Sequence, residues 1–308
     1  MLIKNPPVEI TSNLLMLGTN EYPLFLFKGG SGGTLFEGGT GAMGALLLQQ
    51  LEQLRIPREF ITQAVITHAH PDHVMAVPVF RQAFPEITVL ASETAAKTLG
   101  FEKAIAFFCQ VDGALSSSLL KAGLITDAHR PQPFTEKQIA VDRAIKEGDT
   151  IVVGERTFFD VLQTPGHSDC SLSFHDPRHH ILIISDATGY YMPEHNFWWP
   201  NYFSDYAAYV KSMERLAGMG AEILCLSHNG VLQGADDVKA YFSGAIAATK
   251  KYHERIVAEA KAGKPVREIA EALGAEIYQK TQLLPLDFFQ KNCGVLVKQS
   301  LRHEGITV

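Results

Sequence analysis

The sequence predicts an α/β protein: two β-sheets packed face to face between layers of helix, followed by a helical C-terminal extension. Three observations carry this. Strand-sized apolar runs dominate up to about residue 230, and helical patterns dominate after it. The elements run strands, helix, strand, helices, strands, helix, strand, an order that suits sheets sandwiched between helices. With 308 residues, 46% of them hydrophobic and 19% charged, the chain can fill one large core or two smaller ones. The expected division is 1–232 for the sandwich and 233–308 for the helical extension.

Residues 14–17, 24–27 and 34–37 are apolar runs bounded by Gly29-Gly30 and Gly38-Gly39, which reads as strands joined by turns. Residues 42–54 carry apolar side chains at helical spacing and stop before Pro57. A buried strand at 64–67 runs into a His-rich turn, and 87–90 is another short strand. From Ser92 to about Leu124 the pattern is helical, an insertion with few breakers. Residues 139–163 return to strand, with a hairpin turn expected at Gly154-Glu155. Strands follow at 172–174 and 181–184, a helix at 206–216 and a strand at 222–226. Helices are then expected at 239–261, 266–273 and 288–301.

Composition removes several functions. Lys and Arg total 27 against 33 Asp and Glu, a formal charge of −6 with no basic block, so nucleic acid is not the expected partner. No apolar run approaches the roughly 20 residues of a membrane span. The start shows no secretory leader pattern, so a cytoplasmic location is expected. Cys109, Cys170, Cys225 and Cys293 are far apart and form no CxxC, which disfavours a zinc knuckle or a disulfide framework. Cys170 alone stays of interest, three residues after His167.

Five of the 12 His fall in three segments, each after an expected strand. They are Thr67-His68-Ala69-His70-Pro71-Asp72-His73, Thr164-Pro165-Gly166-His167-Ser168 and Leu226-Ser227-His228-Asn229-Gly230. Ser185-Asp186-Ala187 also ends a buried strand. Residues i and i+2 of an extended chain point the same way, so His68 and His70 can grip one metal together. Pro71 breaks the extension and lets Asp72 and His73 turn towards a second point. Imidazole and carboxylate with open positions suit zinc, iron or manganese.

His68, His70, Asp72 and His73 spell the HxHxDH signature, and in this the sequence resembles the metallo-β-lactamase-fold hydrolases. His167, Asp186 and His228 match the later ligand positions of that family. The resemblance spans roughly residues 10 to 230 and implies an αββα sandwich with two divalent metal ions at one edge. It further implies that His68, His70 and His167 hold one metal and that Asp72, His73 and His228 hold the other, with Asp186 bridging. There are two departures: Ser185 stands where the family usually has Gly, and Ser227-His228-Asn229 replaces a Gly-His-Gly turn. Within the family, the helical insertion, the helical tail and the short stretches Leu14 to Gly18 and Val89 to Glu93 are similar to the quinolone-signal biosynthesis thioesterases.

The clue to substrate is an aromatic stretch after Asp186: Tyr190, Tyr191, Phe197, Trp198 and Trp199, then Tyr202, Phe203 and Tyr206. It is polar and proline-broken, so it reads as a loop forming a lid or pocket wall for an apolar or aromatic acyl group. The bland alternative is a loop packed on its own aromatics. Tyr190 or Tyr191 is a candidate donor to a substrate carbonyl, and His195 lies in the same stretch. The other histidines, His129, His175, His179, His180, His253 and His303, read as surface or turn residues. Residues 283–296 either close the far side of the pocket or serve as packing or a homodimer surface.

The expected function is a dinuclear metallohydrolase acting on a thioester or ester, a small-molecule acyl substrate, with a metal-bridging hydroxide as nucleophile and Asp72 handling protons. The competing readings are a lactonase or phosphodiesterase of the same fold, an iron-dependent persulfide dioxygenase, and a signalling module in which hydrolysis is secondary.

Overall fold

The computed structural model describes residues 1–30, 32–154 and 157–307. The chain opens with β1 (Leu2–Ile3), then lays down β2 (Val8–Thr11), β3 (Leu14–Gly18), β4 (Pro23–Lys28) and β5 (Gly33–Phe36) as an antiparallel run. After α1 (Gly41–Gln53), the strands β6 (Ile61–Val65), β7 (Thr88–Ser92) and β8 (Arg143–Ile145) add parallel to β5 in turn. Helices make the crossovers that parallel strands need: α1, then α2 (Val77–Ala83), then α3 (Glu93–Leu99) and α4 (Glu102–Lys121). The first sheet therefore has the order β2-β3-β4-β5-β6-β7-β8.

The second sheet is built from β9 (Thr150–Gly154), β10 (Thr157–Gln163), β11 (Leu172–Asp176) and β12 (Ile181–Ile183). A separate hairpin follows, β13 (Tyr190–Met192) and β14 (Phe197–Trp199), and then α5 (Tyr206–Ala217). Strands β15 (Ile223–Cys225) and β16 (Val231–Gln233) complete the sheet, in the order β1-β16-β15-β12-β11-β10-β9. Helices α6 (Ala235–Lys261), α7 (Val266–Tyr278) and α8 (Leu286–His303) end the chain.

Strand alternation builds the layers. Leu14, Met16, Phe25, Phe27, Phe36 and Val65 face the second sheet and pack on Phe159, Val161, Phe174, Ile181 and Ile183. Their neighbours Leu15, Leu17, Leu24, Leu26, Leu35 and Ala64 face the other way, towards Met43, Leu47 and Phe80 of α1 and α2. Leu182, Leu224 and Leu232 leave the second sheet outward to meet Val238, Tyr241 and Phe242 of α6. The result is an αββα sandwich with a helical C-terminal region, the architecture expected from the order of elements.

Several local readings change. Residues 92–124 form two helices, because Phe101 is extended (φ −93°, ψ 116°) and ends the first run; Ser92 does start it, its Oγ accepting the Ala95 N–H. Within 139–163 only β8, β9 and β10 are strands, and in the turn expected at Gly154-Glu155, Glu155 lies outside the described residues. The aromatic stretch is a β-hairpin, with Trp199 and Tyr202 buried. His129, His175 and His253 are buried, against the surface reading. Among the described residues, no helix is long and apolar enough to cross a membrane.

Candidate metal centre

Four loops meet at one edge of the sandwich, after β6 in the first sheet and after β10, β12 and β15 in the second. The two sheets are stitched there by Leu172 N–H donating to the Thr67 carbonyl (2.9 Å). Pro71–His73 is a single 3₁₀ turn, held against the β5–α1 loop by Gly38 N–H on the His73 carbonyl (2.9 Å). A Cβ on Gly38 would lie 2.4 Å from that oxygen, so only glycine fits. Gly166 precedes His167 at φ +122°, where a Cβ would meet the Tyr209 backbone at 2.3 Å; this close approach sets the loop on α5.

The loops bring the sequence-predicted ligands together in two sets. His68, His70, His167 and Asp186 form one, and Asp72, His73 and His228 the other, with donor atoms in each set within 4.8 Å of one another. Asp186 spans both: Oδ2 is 3.2 Å from His167 Nε2 and 3.7 Å from His73 Nε2, while Oδ1 is 3.3 Å from His228 Nε2. Asp72 Oδ2 lies 3.5 Å from His73 Nε2 and 3.9 Å from His228 Nε2.

The outward ring nitrogens fix the inward ones. His167 Nδ1 donates to the Asn201 carbonyl (2.8 Å) and His228 Nδ1 to the Glu21 carbonyl (2.5 Å). His73 Nδ1 meets the Glu37 carboxylate (2.8 Å), and His68 Nδ1 faces Ser185 Oγ (3.1 Å). A carbonyl can only accept, so Nε2 of His167 and His228 is a lone pair in the neutral ring.

Such an arrangement fits a metal. Nε2 of His68 and His167 and Nδ1 of His70 lie 2.9–3.2 Å apart, close to the about 3.3 Å that tetrahedral ligands at zinc–nitrogen distance require. His73 Nε2 is buried with no hydrogen-bond partner, which a bound cation would satisfy. Charge agrees. Burial, then His73, His70 and His167, holds His68 well below its usual pKa, and burial with His167 brings His70 down to about 3. Burial works against ionising Asp72, yet His73 and His228 hold it at about 2. Against the same burial, His167, His73 and His228 keep Asp186 well below the carboxylate range. His68, His70 and His167 are thus neutral lone-pair donors facing ionised carboxylates, as metal ligation needs, whereas, against burial, Glu37 and Asp72 raise the pKa of His73 and Asp186 raises that of His228, so that protons there balance the carboxylates where a cation would.

A model of the metallo-beta-lactamase superfamily matches residues 23–228, two thirds of the sequence. The chain belongs to that superfamily. Its two departures from the family pattern now have a structural account. Ser185 (φ +48°) and Asn229 (φ +68°) both stand in the left-handed region that favours glycine. Ser185 Oγ donates to Thr67 Oγ1 (2.7 Å) beside His68, and Asn229 Nδ2 donates to the Tyr191 carbonyl (2.7 Å), so each side chain ties its loop down. The chain is 31% identical over 157 residues to the acyl-coenzyme A thioesterase MBLAC2 of Gallus gallus, half of each protein. It is 26% identical to the uncharacterized protein YobT of Bacillus subtilis (strain 168), over 62% of this chain and 76% of that one. Among solved structures, the metallo-beta-lactamase family protein TTHA1429 from Thermus thermophilus superposes with a TM-score of 0.65 at 20% identity, over 96% and 95% of the two chains. BJP-1, a subclass B3 metallo-beta-lactamase of Bradyrhizobium japonicum, gives 0.58 at 16% identity, over 85% and 97%. These superpositions establish the fold.

An apolar cavity of about 200 Å³ opens from the His/Asp cluster. His70, Asp72, His167, Asp186 and His228 line one end, and Phe107, Leu115, Phe203, Leu284, Phe288 and Phe289 line the rest. The hairpin divides the aromatic candidates by strand alternation. Tyr190 pairs with Trp199, and both line the cavity, Tyr190 with its ring 4.7 Å from that of His228. Tyr191 pairs with Trp198 on the opposite face, where both pack on Tyr241 of α6, so neither lines the cavity. Phe197 sits one step beyond, against Tyr252 and Lys280, and is no wall residue either. His195 is exposed and lines a neighbouring groove with Glu194 and Lys4. Cys170 stays outside the cluster; its Sγ takes the Ala69 N–H (3.3 Å) and props the His-rich loop. Sequence reasoning missed Glu37 and Tyr22, which no spacing or motif marks, whereas Phe203, part of the aromatic stretch expected to wall a pocket, does line the cavity.

Proposed function

We propose that the chain is a metallohydrolase that cleaves a thioester or ester of an apolar or aromatic acyl group. The observation that carries this is one cavity with two ends: His70, Asp72, His167, Asp186 and His228 at its head, and aromatic and aliphatic side chains along its length. A charged or strongly polar substrate would be poorly served by such walls. The 31% identity to a protein described as an acyl-coenzyme A thioesterase supports the same substrate class.

In this reading His68, His70 and His167 would hold one divalent ion, zinc, iron or manganese, and Asp72, His73 and His228 a second, with the Asp186 carboxylate within reach of both sets. Such ions would supply Lewis-acid polarisation of an acyl carbonyl and a water of near-neutral pKa. Asp72, ionised and with its side chain 24% exposed, takes the proton from the attacking water and passes it to the departing thiolate or alkoxide. Burial pushes the Tyr190 phenol well above its usual pKa, so it stays protonated and offers a hydrogen bond to the acyl oxygen. Trp199, Phe288 and Phe289 seat the acyl chain and keep bulk water from the head of the cavity.

The test is metal analysis of protein purified without added metal, followed by a panel of acyl-CoA thioesters, aryl esters, lactones, nitrocefin and a phosphodiester. Two ions bound at these ligands and hydrolysis of apolar thioesters or esters are expected. Less than one ion per chain, or no hydrolysis of any acyl substrate, overturns the reading.

A further inference from the structure

We propose that His253, His303 and Glu304 form a further metal site, separate from the His/Asp cluster, which takes a zinc-like divalent ion and latches the end of α8 to α6. His253 belongs to α6, His303 is the last residue of α8, and Glu304 caps it. Their donor atoms lie within 4.8 Å of one another. His253 Nε2 is 3.3 Å from Glu304 Oε1, and the His253 and His303 rings are 5.4 Å apart at 75°.

Three features go beyond an ordinary histidine–glutamate contact. His253 is only 8% exposed, and its ring is fixed by stacking on Tyr206 of α5 at 3.9 Å and 14°. Tyr206 also meets the His303 ring edge-on at 5.0 Å, so one phenol orients both imidazoles. Burial also keeps His253 below its usual pKa, in the neutral form that a metal needs.

Two imidazoles and a carboxylate select borderline transition ions such as zinc over magnesium or calcium. His303 and Glu304 are exposed, which gives an ion access from solvent and leaves room for water ligands. Lys261, 3.9 Å from the second Glu304 oxygen, is the cation such an ion would displace. The latch would hold the far end of the helix whose first turns carry Phe288 and Phe289 into the cavity.

The test uses the untagged full chain, stripped with chelator and dialysed against micromolar zinc, with bound zinc counted by mass spectrometry. Wild type is expected to hold one equivalent more than H303A and one more than E304A, with ester hydrolysis unchanged in both. Zinc should raise the melting temperature of wild type more than that of H303A. The same one-equivalent difference should persist in an H68A/H167A/H228A background, which separates this site from the His/Asp cluster. Equal zinc in wild type and H303A, or a difference that vanishes in that background, overturns the proposal.

Discussion

Glu37 follows β5 with φ +80°, a backbone conformation that non-glycine residues rarely adopt. It is 2% exposed, and its Oε2 accepts from Thr67 Oγ1 (3.0 Å) and faces His73 Nδ1 (2.8 Å). That carboxylate orients the ring whose other nitrogen points into the metal centre, and such partners typically matter 10–100-fold for metal affinity. Glu37→Gln keeps the volume and removes the charge, so metal affinity should fall by roughly tenfold or more with the fold intact. Competition against a chromogenic chelator measures this, and unchanged affinity would show that Glu37 does not position His73. The contrast with the ligands shows what sequence can carry at this scale. His68, His70, Asp72 and His73 are legible because their spacing has a geometric meaning along one extended strand. Glu37 reaches His73 across 36 residues, and nothing in a carboxylate before Gly38-Gly39 distinguishes it from a turn residue.

At the scale of elements, α1 begins without a cap of its own, since the Thr40 side chain makes no capping hydrogen bond. Asp112 of α4 supplies one from outside, its Oδ1 accepting the Gly41 N–H at 2.7 Å. Burial raises the Asp112 carboxyl from 3.8 to about 6, although the Gly41 N–H pulls it down. Between those values the folded chain keeps a proton that the unfolded chain releases, so this group's contribution falls as pH rises through the window and is level above it. The size is about 3 kcal/mol. Asp112→Asn keeps the acceptor and never ionises, so the stability of D112N relative to wild type should rise by up to about that amount from pH 4 to pH 7. Urea unfolding of both proteins at the two pH values tests it, and a pH-independent difference would refute it. The sequence shows α4 as helix, but a single Asp inside a helical pattern does not reveal that it serves another helix 71 residues away. The hairpin was missed for a related reason. Each of its strands has three residues, too few to display an alternation, and only pairing Tyr190 with Trp199 shows which rings share a face.

Across the whole molecule the site ligands come from both sheets: His68, His70, Asp72 and His73 follow β6, while His167, Asp186 and His228 follow β10, β12 and β15. Metal bound there joins the two sheets, and any ligand that binds only the folded state stabilises it by about 2.7 kcal/mol at a hundred times its Kd. Chelation should therefore lower the melting temperature by several degrees, and zinc should restore it in wild type but not in D186A; scanning calorimetry reads both. The layered fold was legible because buried strands, crossover helices and turns follow local periodicities. The cavity was legible only in part: the aromatic stretch and residues 283–296 were expected to wall it, whereas Phe107 and Leu115 of α4 join them through no local pattern. This division makes a last prediction. The chemical groups sit on loops of the sandwich, whereas Leu284, Phe288 and Phe289 come from the C-terminal helical region. Selectivity for the acyl chain should then be separable from the chemistry. Phe288 is half-buried, so Phe288→Ala should leave the fold and the hydrolysis of an acetyl thioester nearly unchanged. For a long or aromatic acyl thioester, the lost apolar contact is worth about 1–3 kcal/mol in the transition state, a fall in kcat/KM of roughly tenfold or more. Equal loss for the two substrates would mean that Phe288 supports the site as a whole, and that chain selectivity resides in Phe107, Leu115 and Phe203 instead.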